Sequence, residues 1–371
     1  MTNSDDSRAN PLADRLRERI KQTGPITFHD WMQAALYDEH DGYYVQPGPG
    51  RQGRAGDYRT APEMSPLFAA TFASYFSKLF TDLKWPASLT IFEAGAGSGH
   101  FARGVLEHLR REFPEIFAVT NYVIDEVSPA VRGRAAERLK EFAGRVSFRR
   151  LDEIETTSGA GIVFSNELID AFPVHRVILR GGVLRELYVG LDDGSFVWVE
   201  GTPETAAADY CRGTNLNLRE GQIAEINLGA ELFIERCARL FERGYLVTVD
   251  YGAERAELLS SPDRFGGTLR SFRRHQMIDD PLSNPGAQDL TTTIDWTQVM
   301  EAGRRVGMRT LRLNRLDQFL LNEGLGLIEL IADAKADAAE SMRQLTSARE
   351  LILPTGLAAS FQVCVQEKVQ H

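Results

Sequence analysis

Three glycines two residues apart, with one acid ahead of them and a second about one strand-helix-strand unit downstream, are the residues of this chain best suited to holding a ligand. Gly95, Gly97 and Gly99 follow Glu93 in Leu-Thr-Ile-Phe-Glu-Ala-Gly-Ala-Gly-Ser-Gly-His-Phe, which runs from Leu89 to Phe101. Lacking Cβ atoms, such a loop can turn sharply and admit a ligand close to the backbone. Leu89, Ile91 and Phe92 give the short apolar run of a buried strand before the loop, and Phe101, Val105, Leu106 and Leu109 recur at helical spacing after it. The ligand is therefore delivered to a helix N-terminus. The Gly-x-Gly-x-Gly spacing departs from the Gly-x-Gly-x-x-Gly of pyrophosphate-binding turns. Glu126 ends the next apolar run, where an acidic side chain can accept bonds from both hydroxyls of a nucleoside ribose; a solvated strand-end carboxylate is the alternative. Asp152 follows a third run at Val146 to Phe148 and either bonds an adenine amino group or is a surface acid.

A fourth apolar run, Gly161 to Phe164, opens directly into Ser165-Asn166-Glu167-Leu168-Ile169-Asp170. Ligands of an open parallel sheet collect beyond the carboxyl ends of its strands, which puts Asn166 and Glu167 over the crevice of the glycine loop. Asn166, Glu167 and Asp170 are accordingly the candidates for chemistry on a second substrate, although Glu167 and Asp170 share one turn and can equally cap or pair locally. Upstream, Gly56-Asp57-Tyr58-Arg59-Thr60-Ala61-Pro62-Glu63 adds Asp57, Thr60 and Glu63. His275 is either a base or a hydrogen-bonding element of an arginine-rich loop.

The elements that must position these groups read as an α/β chain. Pro11 to Gln22 is a helix, and Thr27 can cap a second one that turns Trp31, Met32, Ala35 and Leu36 inward. Gln46 to Gly56 has the glycine, proline and arginine of a loop, suited to a lid. Ser65 to Leu83 is a helix whose Leu67, Phe68, Phe72, Phe76 and Phe80 form a core face. Val119 to Val127 is a strand, followed by a helix from Ser128 to Phe142. Val174 to Leu179 and Val183 to Val189 make a hairpin across Arg180-Gly181-Gly182, with Ser195 to Val199 as a third strand. Pro203 to Glu220 is irregular or weakly helical. Ala230 to Phe241 is a helix expected to bury Leu232, Phe233, Cys237 and Leu240, and Gly244 to Tyr251 is a fifth buried strand. Periodicity then vanishes from Leu258 to Leu290, a length that suggests a disordered or functional loop. Trp296 to Val306 is a helix, Met308 to Leu313 a strand, Phe319 to Arg349 helices broken near Gly324 and Gly326, and Phe361 to Val365 the last strand. This organisation predicts an N-terminal helical and lid region over residues 1–85 and a sheet domain over 86–371, with insertions at about 174–228 and 253–295.

Composition narrows the function classes. The 371 residues are 43% hydrophobic and 25% charged, enough for a substantial core. A net charge of −10 and a pI near 5.4 argue against a general nucleic-acid-binding surface. Cys211, Cys237 and Cys364 have neither zinc-site nor disulfide spacing and suit core positions in a reducing compartment. The opening residues lack a leader pattern and no apolar run reaches membrane-spanning length, so the expectation is a cytoplasmic protein with no membrane span and no metal.

Several motifs together resemble one family, the MidA-like methyltransferases, which include the mitochondrial complex I assembly arginine methyltransferase. They are Gly24-Pro25-Ile26 leading to His40-Asp41-Gly42-Tyr43-Tyr44, the Gly56 to Glu63 stretch, Glu93 to Gly99, Glu126-Val127-Ser128-Pro129, Ser165 to Val174, Asp250-Tyr251-Gly252, and Gly267-Thr268-Leu269-Arg270 with His275. Tyr58 stands where the family often has Phe, and Ala96 where it often has Pro; neither change removes a needed polar group.

The resemblance implies a seven-stranded Rossmann-like class I methyltransferase sheet with helical additions, and S-adenosyl-L-methionine as cofactor. By it, Gly95, Gly97 and Gly99 line the methionine end, Glu126 holds the ribose and Asn166 stands beside the transferring methyl. Glu93, Asp57, Thr60 and Asp152 complete the expected cofactor contacts. If the acceptor is an arginine, its guanidinium must be oriented by carboxylates, for which Glu167 and Asp170 are the candidates with Glu63 and Asp57 behind them. The expected activity is methylation of an arginine in a protein such as a respiratory complex I subunit. A small-molecule O- or N-methyltransferase and a cofactor-binding assembly chaperone with little turnover remain as alternatives, and the oligomeric state stays open.

Overall fold

A computed structural model describes residues 10–46, 65–154, 157–273, 276–333, 346 and 357–368. The chain divides into two units, one drawn from Met1–Gly48, Ala171–Gly229 and Ala256–Thr293, the other from Pro49–Asp170, Ala230–Arg255 and Ile294–His371.

The second unit is built on a mostly parallel sheet. Its strands are β1 (Leu89–Ala94), β2 (Thr120–Asp125), β3 (Val146–Phe148), β4 (Thr157–Asn166), β5 (Phe241–Ala253), β6 (Met308–Arg315) and β7 (Phe361–Lys368). They lie in the order β6-β7-β5-β4-β1-β2-β3, with the two-residue strand Ile294–Asp295 added beside β5. Strand β7 runs antiparallel to both neighbours, and the other main-path pairs are parallel. This bears out the sequence expectation of a seven-stranded Rossmann-like sheet.

Helices α1 (Pro66–Asp82) and α2 (His100–Glu112) pack on one face. Every second residue of the central strands enters their core: Leu89 and Ile91, Tyr122 and Ile124, Ile162 and Phe164, Val247 and Val249. This is the period-two alternation of a pleated strand. Phe101 of α2 stacks on Phe164 of β4 with centroids 4.0 Å apart, and Phe72 of α1 meets Phe164 edge-on. Phe101 lies two residues after Gly99 and Phe164 two before Asn166, so core packing fixes both.

Three expectations are corrected. Helix Leu228–Arg239 buries Ala230, Phe233, Ile234, Cys237 and Ala238, and Leu232 is 57% exposed, because the apolar stripe centres on Phe233 and Ile234. The helix Leu316–Asp333 is not broken at its glycines. A Cβ on Gly324 would stand 2.6 Å from the Thr71 hydroxyl of α1, so that glycine serves close helix approach. Residues 258–290 are no bare loop either: Arg270–Arg273 pairs antiparallel with Gln276–Ile278 and Asp289–Thr291, strands too short for their alternation to register.

The first unit carries its own antiparallel sheet, in which Val183–Asp192 pairs with Ile26–Thr27, His175–Arg180 and Ser195–Gly201, and His175–Arg180 pairs on with Ile223–Ile226. A buried ion pair staples it: the Arg176 Nε lies 3.0 Å from the Glu225 carboxylate, and the guanidinium sits 4.7 Å over Trp198. Glu225 also accepts the Thr268 backbone N–H at 2.7 Å and its hydroxyl at 3.0 Å. Gly267 has a φ of +91°, and a Cβ there would lie 2.3 Å from a Glu225 oxygen. Pro203 to Glu220 contains the helix Thr205–Gly213, which buries Ala207 and Cys211.

Candidate functional site

Strand register brings the sequence-selected residues of the second unit to one level. Ala94 of β1 is opposite Asp125 of β2 and Ser165 of β4. The next residue on each strand is Gly95, Glu126 and Asn166, so three motifs far apart in sequence begin at the same edge of the sheet.

Gly95, Gly97 and Gly99 all adopt left-handed φ values, of +68°, +54° and +77°. Such a run is costly for any residue with a Cβ. The loop is tied down by its neighbours: the Asp125 carbonyl accepts the N–H groups of Gly95 at 2.9 Å and Ala96 at 3.3 Å. Gly97 donates its N–H to one Glu126 oxygen at 2.9 Å, and Ser128 donates to the other at 2.8 Å. Burial raises the Glu126 pKa, while these two backbone donors work in the opposite direction. Each of its oxygens keeps capacity for a further donor.

Two residues before the loop, Glu93 turns into the helix-covered core. It is buried, accepts the Tyr122 hydroxyl at 2.7 Å, and burial pushes its carboxyl up to about 8. Asp152 lies in the short turn Leu151–Glu153 after β3, with its side chain 57% exposed. That turn is held by Asp125, which accepts the Leu151 N–H at 3.0 Å.

Beyond β4 the chain turns abruptly. Glu167 has a φ of +50°, unusual for a residue with a side chain. Its N–H donates to the Val249 carbonyl at 3.0 Å, and its carboxylate accepts the Asn166 amide at 3.0 Å. The Asn166 Oδ1 is buried and accepts no hydrogen bond among the described residues. Strained backbone of this sort concentrates at working sites. The turn closes on the glycine loop, since a Cβ on Gly95 would stand 2.8 Å from the Leu168 Cδ1. Asp170 is buried in the same turn.

The structure therefore gathers Gly95 to Gly99, Glu126, Asn166 and Glu167, places Asp152 at the end of the outermost strand and sets Glu93 inside the core. Asp57, Thr60, Glu63 and His275 lie outside the described residues. Two residues the sequence reading left out of the site emerge. Asp125 ties the glycine loop and the Asp152 turn together, and Asp250, at the end of β5, bonds the Asn166 to Asp170 turn. Both are acids at carboxyl ends of buried strands, the signal that singled out Glu126.

Residues 71–314 match the model of a family described as S-adenosyl-L-methionine-dependent methyltransferase. The chain is 29% identical over 320 residues to the Drosophila melanogaster protein arginine methyltransferase NDUFAF7 homolog, mitochondrial, covering 78% of this chain and 69% of that protein. It is 25% identical over 375 residues to the Xenopus tropicalis protein arginine methyltransferase NDUFAF7, mitochondrial, covering 90% and 80%. A Burkholderia thailandensis protein solved with S-adenosyl-homocysteine bound matches with a TM-score of 0.85 at 30% identity, over 96% of this chain and 91% of that one. The two animal relatives are mitochondrial by name, which overturns the cytoplasmic location expected from the dispersed cysteines and the composition of the opening residues. Neither feature assigns a compartment.

Proposed function

The chain belongs to the S-adenosyl-L-methionine-dependent methyltransferase family, and from that premise we propose that it transfers a methyl group to an arginine side chain of a protein. The observation that carries this acceptor is the Asn166 to Asp170 turn, which sets Glu167 against the Asn166 amide at the sheet level of the glycine loop, with Asp170 three residues further along the same turn. The relatives named protein arginine methyltransferases support it, and the motif resemblance supports a subunit of the respiratory complex I type as the carrier of that arginine.

The residues fit the cofactor. The glycine cradle has no room for a Cβ at Gly95, and the Asn166 Oδ1 is a buried acceptor awaiting a donor. Bound there, S-adenosyl-L-methionine supplies an electrophilic methyl carbon on a sulfonium. Gly95, Gly97 and Gly99 line its methionine end, Glu126 takes the ribose hydroxyls with the lone pairs left by Gly97 and Ser128, and Asp152 reaches the adenine amino group. Glu93, expected as a cofactor contact, lies in the core bonded to Tyr122. The motif resemblance adds Asp57 and Thr60 as proposed cofactor contacts and Glu63 as a proposed acceptor contact.

The protein's own work is placement. Glu167 and Asp170 would pair with the cationic guanidinium, orient one nitrogen toward the cofactor's methyl and accept the proton that nitrogen loses, the cofactor leaving as S-adenosyl-homocysteine. Asn166 fixes Glu167 through its amide. Incubating the protein with tritiated S-adenosyl-L-methionine and an extract of cells lacking the gene tests the proposal. Label recovered as methylarginine in a protein band is expected; label only in a small extractable product, or cofactor binding without transfer, would overturn it.

A further inference from the structure

Asp250 has no exposed surface, yet it carries a carboxyl group near the carboxyl end of β5. It faces away from the core of α1 and α2, since Val247 and Val249 on the same strand enter that core. One of its oxygens accepts two consecutive backbone N–H groups, Ile169 at 3.1 Å and Asp170 at 3.3 Å. The other accepts the N–H of Tyr251 at 2.9 Å. Ile169 and Asp170 begin the short turn Ile169–Ala171. Asp250 bonds both of their amides from another strand, about eighty residues away in sequence.

A second constraint reaches the same segment from the same strand. Val249, the residue before Asp250, accepts the Glu167 N–H at 3.0 Å. The acidic turn is thus hung on two successive residues of β5, one holding it by main chain and one by side chain. Between the two anchors Glu167 keeps its left-handed φ of +50°, a conformation that persists only where its surroundings impose it. A side chain could give way here, but the anchored amides cannot move without breaking bonds to β5.

We infer that Asp250 is a positioning residue that fixes the Asn166 to Asp170 turn, and with it the direction in which Glu167 and Asp170 meet the acceptor. This rests on the acceptor reading given above. Burial, and then the neighbouring carboxylates of Asp170 and Glu167, raise the Asp250 pKa well above the ordinary aspartate range. A neutral carboxyl still accepts hydrogen bonds, so the anchoring role does not need its charge. The cofactor cradle, held by Asp125 and Glu126, has its own supports.

Steady-state transfer from tritiated S-adenosyl-L-methionine to an extract of cells lacking the gene should separate this role from a general loss of structure. Asp250→Ala removes all the acceptors and is expected to lower kcat about tenfold or more, through misplacement of the acceptor groups. KM for the methyl donor and calorimetric affinity for S-adenosyl-homocysteine should stay within about twofold, because Asp125 and Glu126 hold the glycine loop and strand pairing opposite Val249 holds Asn166, all without the Asp250 side chain. Asp250→Asn keeps an oxygen for Ile169 and Asp170 and should restore kcat to within about threefold of wild type. Wild-type kcat in the alanine variant, a donor KM that rises as kcat falls, or an asparagine variant no better than alanine would each overturn the assignment. Amide hydrogen exchange on the unaltered protein covers the case of a variant that does not fold: Ile169 and Asp170 should exchange slowly, and exchange at unstructured-chain rates would overturn the anchor. If the unaltered protein transfers no label while these amides are protected, the acceptor reading fails and the anchor stands.

Discussion

The Tyr122 hydroxyl donates to Glu93 at 2.7 Å inside the core, two residues from the first glycine of the loop. That one bond does not offset the burial of Glu93, whose pKa rises from 4.5 to about 8. A folded-state pKa above the unfolded one favours the protonated, folded form. The associated stability is present in full below about pH 4.5 and is lost as pH rises through about 8. Glu93→Gln keeps an acceptor for Tyr122 and removes the titration. Its melting temperature should pull ahead of wild type progressively from pH 5 to pH 8, by the equivalent of about 4 kcal/mol at most. Parallel melting curves for the two proteins across that range would show that Glu93 does not titrate in this way.

Gly95→Ala meets two penalties, a left-handed φ of +68° and a methyl 2.8 Å from Leu168. The first costs about 1–2 kcal/mol and stays whatever surrounds it. Adding Leu168→Ala should relieve the collision alone, so the double variant recovers part of the lost S-adenosyl-homocysteine affinity and not all of it. Gly97→Val, a branched side chain at a φ of +54°, is expected to abolish that binding. Calorimetry on the three proteins decides, and unchanged affinity in Gly97→Val would remove the loop from the cofactor site.

Glu167→Gln leaves the Val249 anchor and the backbone of the turn in place and removes the charge that would meet a guanidinium. Affinity for S-adenosyl-homocysteine should be unchanged and transfer should fall about a hundredfold, the order expected when a group acts mainly on the transition state. Undiminished turnover would take Glu167 out of the acceptor site.

In the other unit, Glu225→Ala strands the Arg176 guanidinium in the interior together with the Thr268 N–H. Breaking a buried pair from one side costs about 3–5 kcal/mol. Denaturant unfolding should report a loss of that order, with Gly267→Ala also destabilising because its methyl would press on the same carboxylate. A change within experimental scatter for Glu225→Ala would mean that Trp198 and the Gly266 carbonyl, which accepts an Arg176 N–H at 3.1 Å, hold Arg176 unaided.

The glycine loop, its flanking strand and helix, and Asn166 to Asp170 were legible because each rests on local chemistry: backbone freedom, apolar period and polar residues at a strand end. Thr27 and Ser128 cap their helices as their residue types predict. Asp125 and Asp250 carry the same strand-end signal as Glu126, but nothing local shows that their carboxylates bond backbone amides of segments distant in sequence. The same gap explains Gly324, read as a helix breaker although its role is to admit Thr71, a partner distant in sequence. The three-stranded sheet between 270 and 291 escapes the sequence reading because its strands are too short to show alternation.

Strand β7 closes the central sheet from within, lying between β5 and β6 although it follows both in the chain. During synthesis, β5 and β6 would emerge long before the strand that joins them, leaving their inner edges open on the ribosome. The nascent chain must therefore carry two unpaired edges until β7 appears, and completion of this sheet is a late event, exposed to chaperones and to self-association until then.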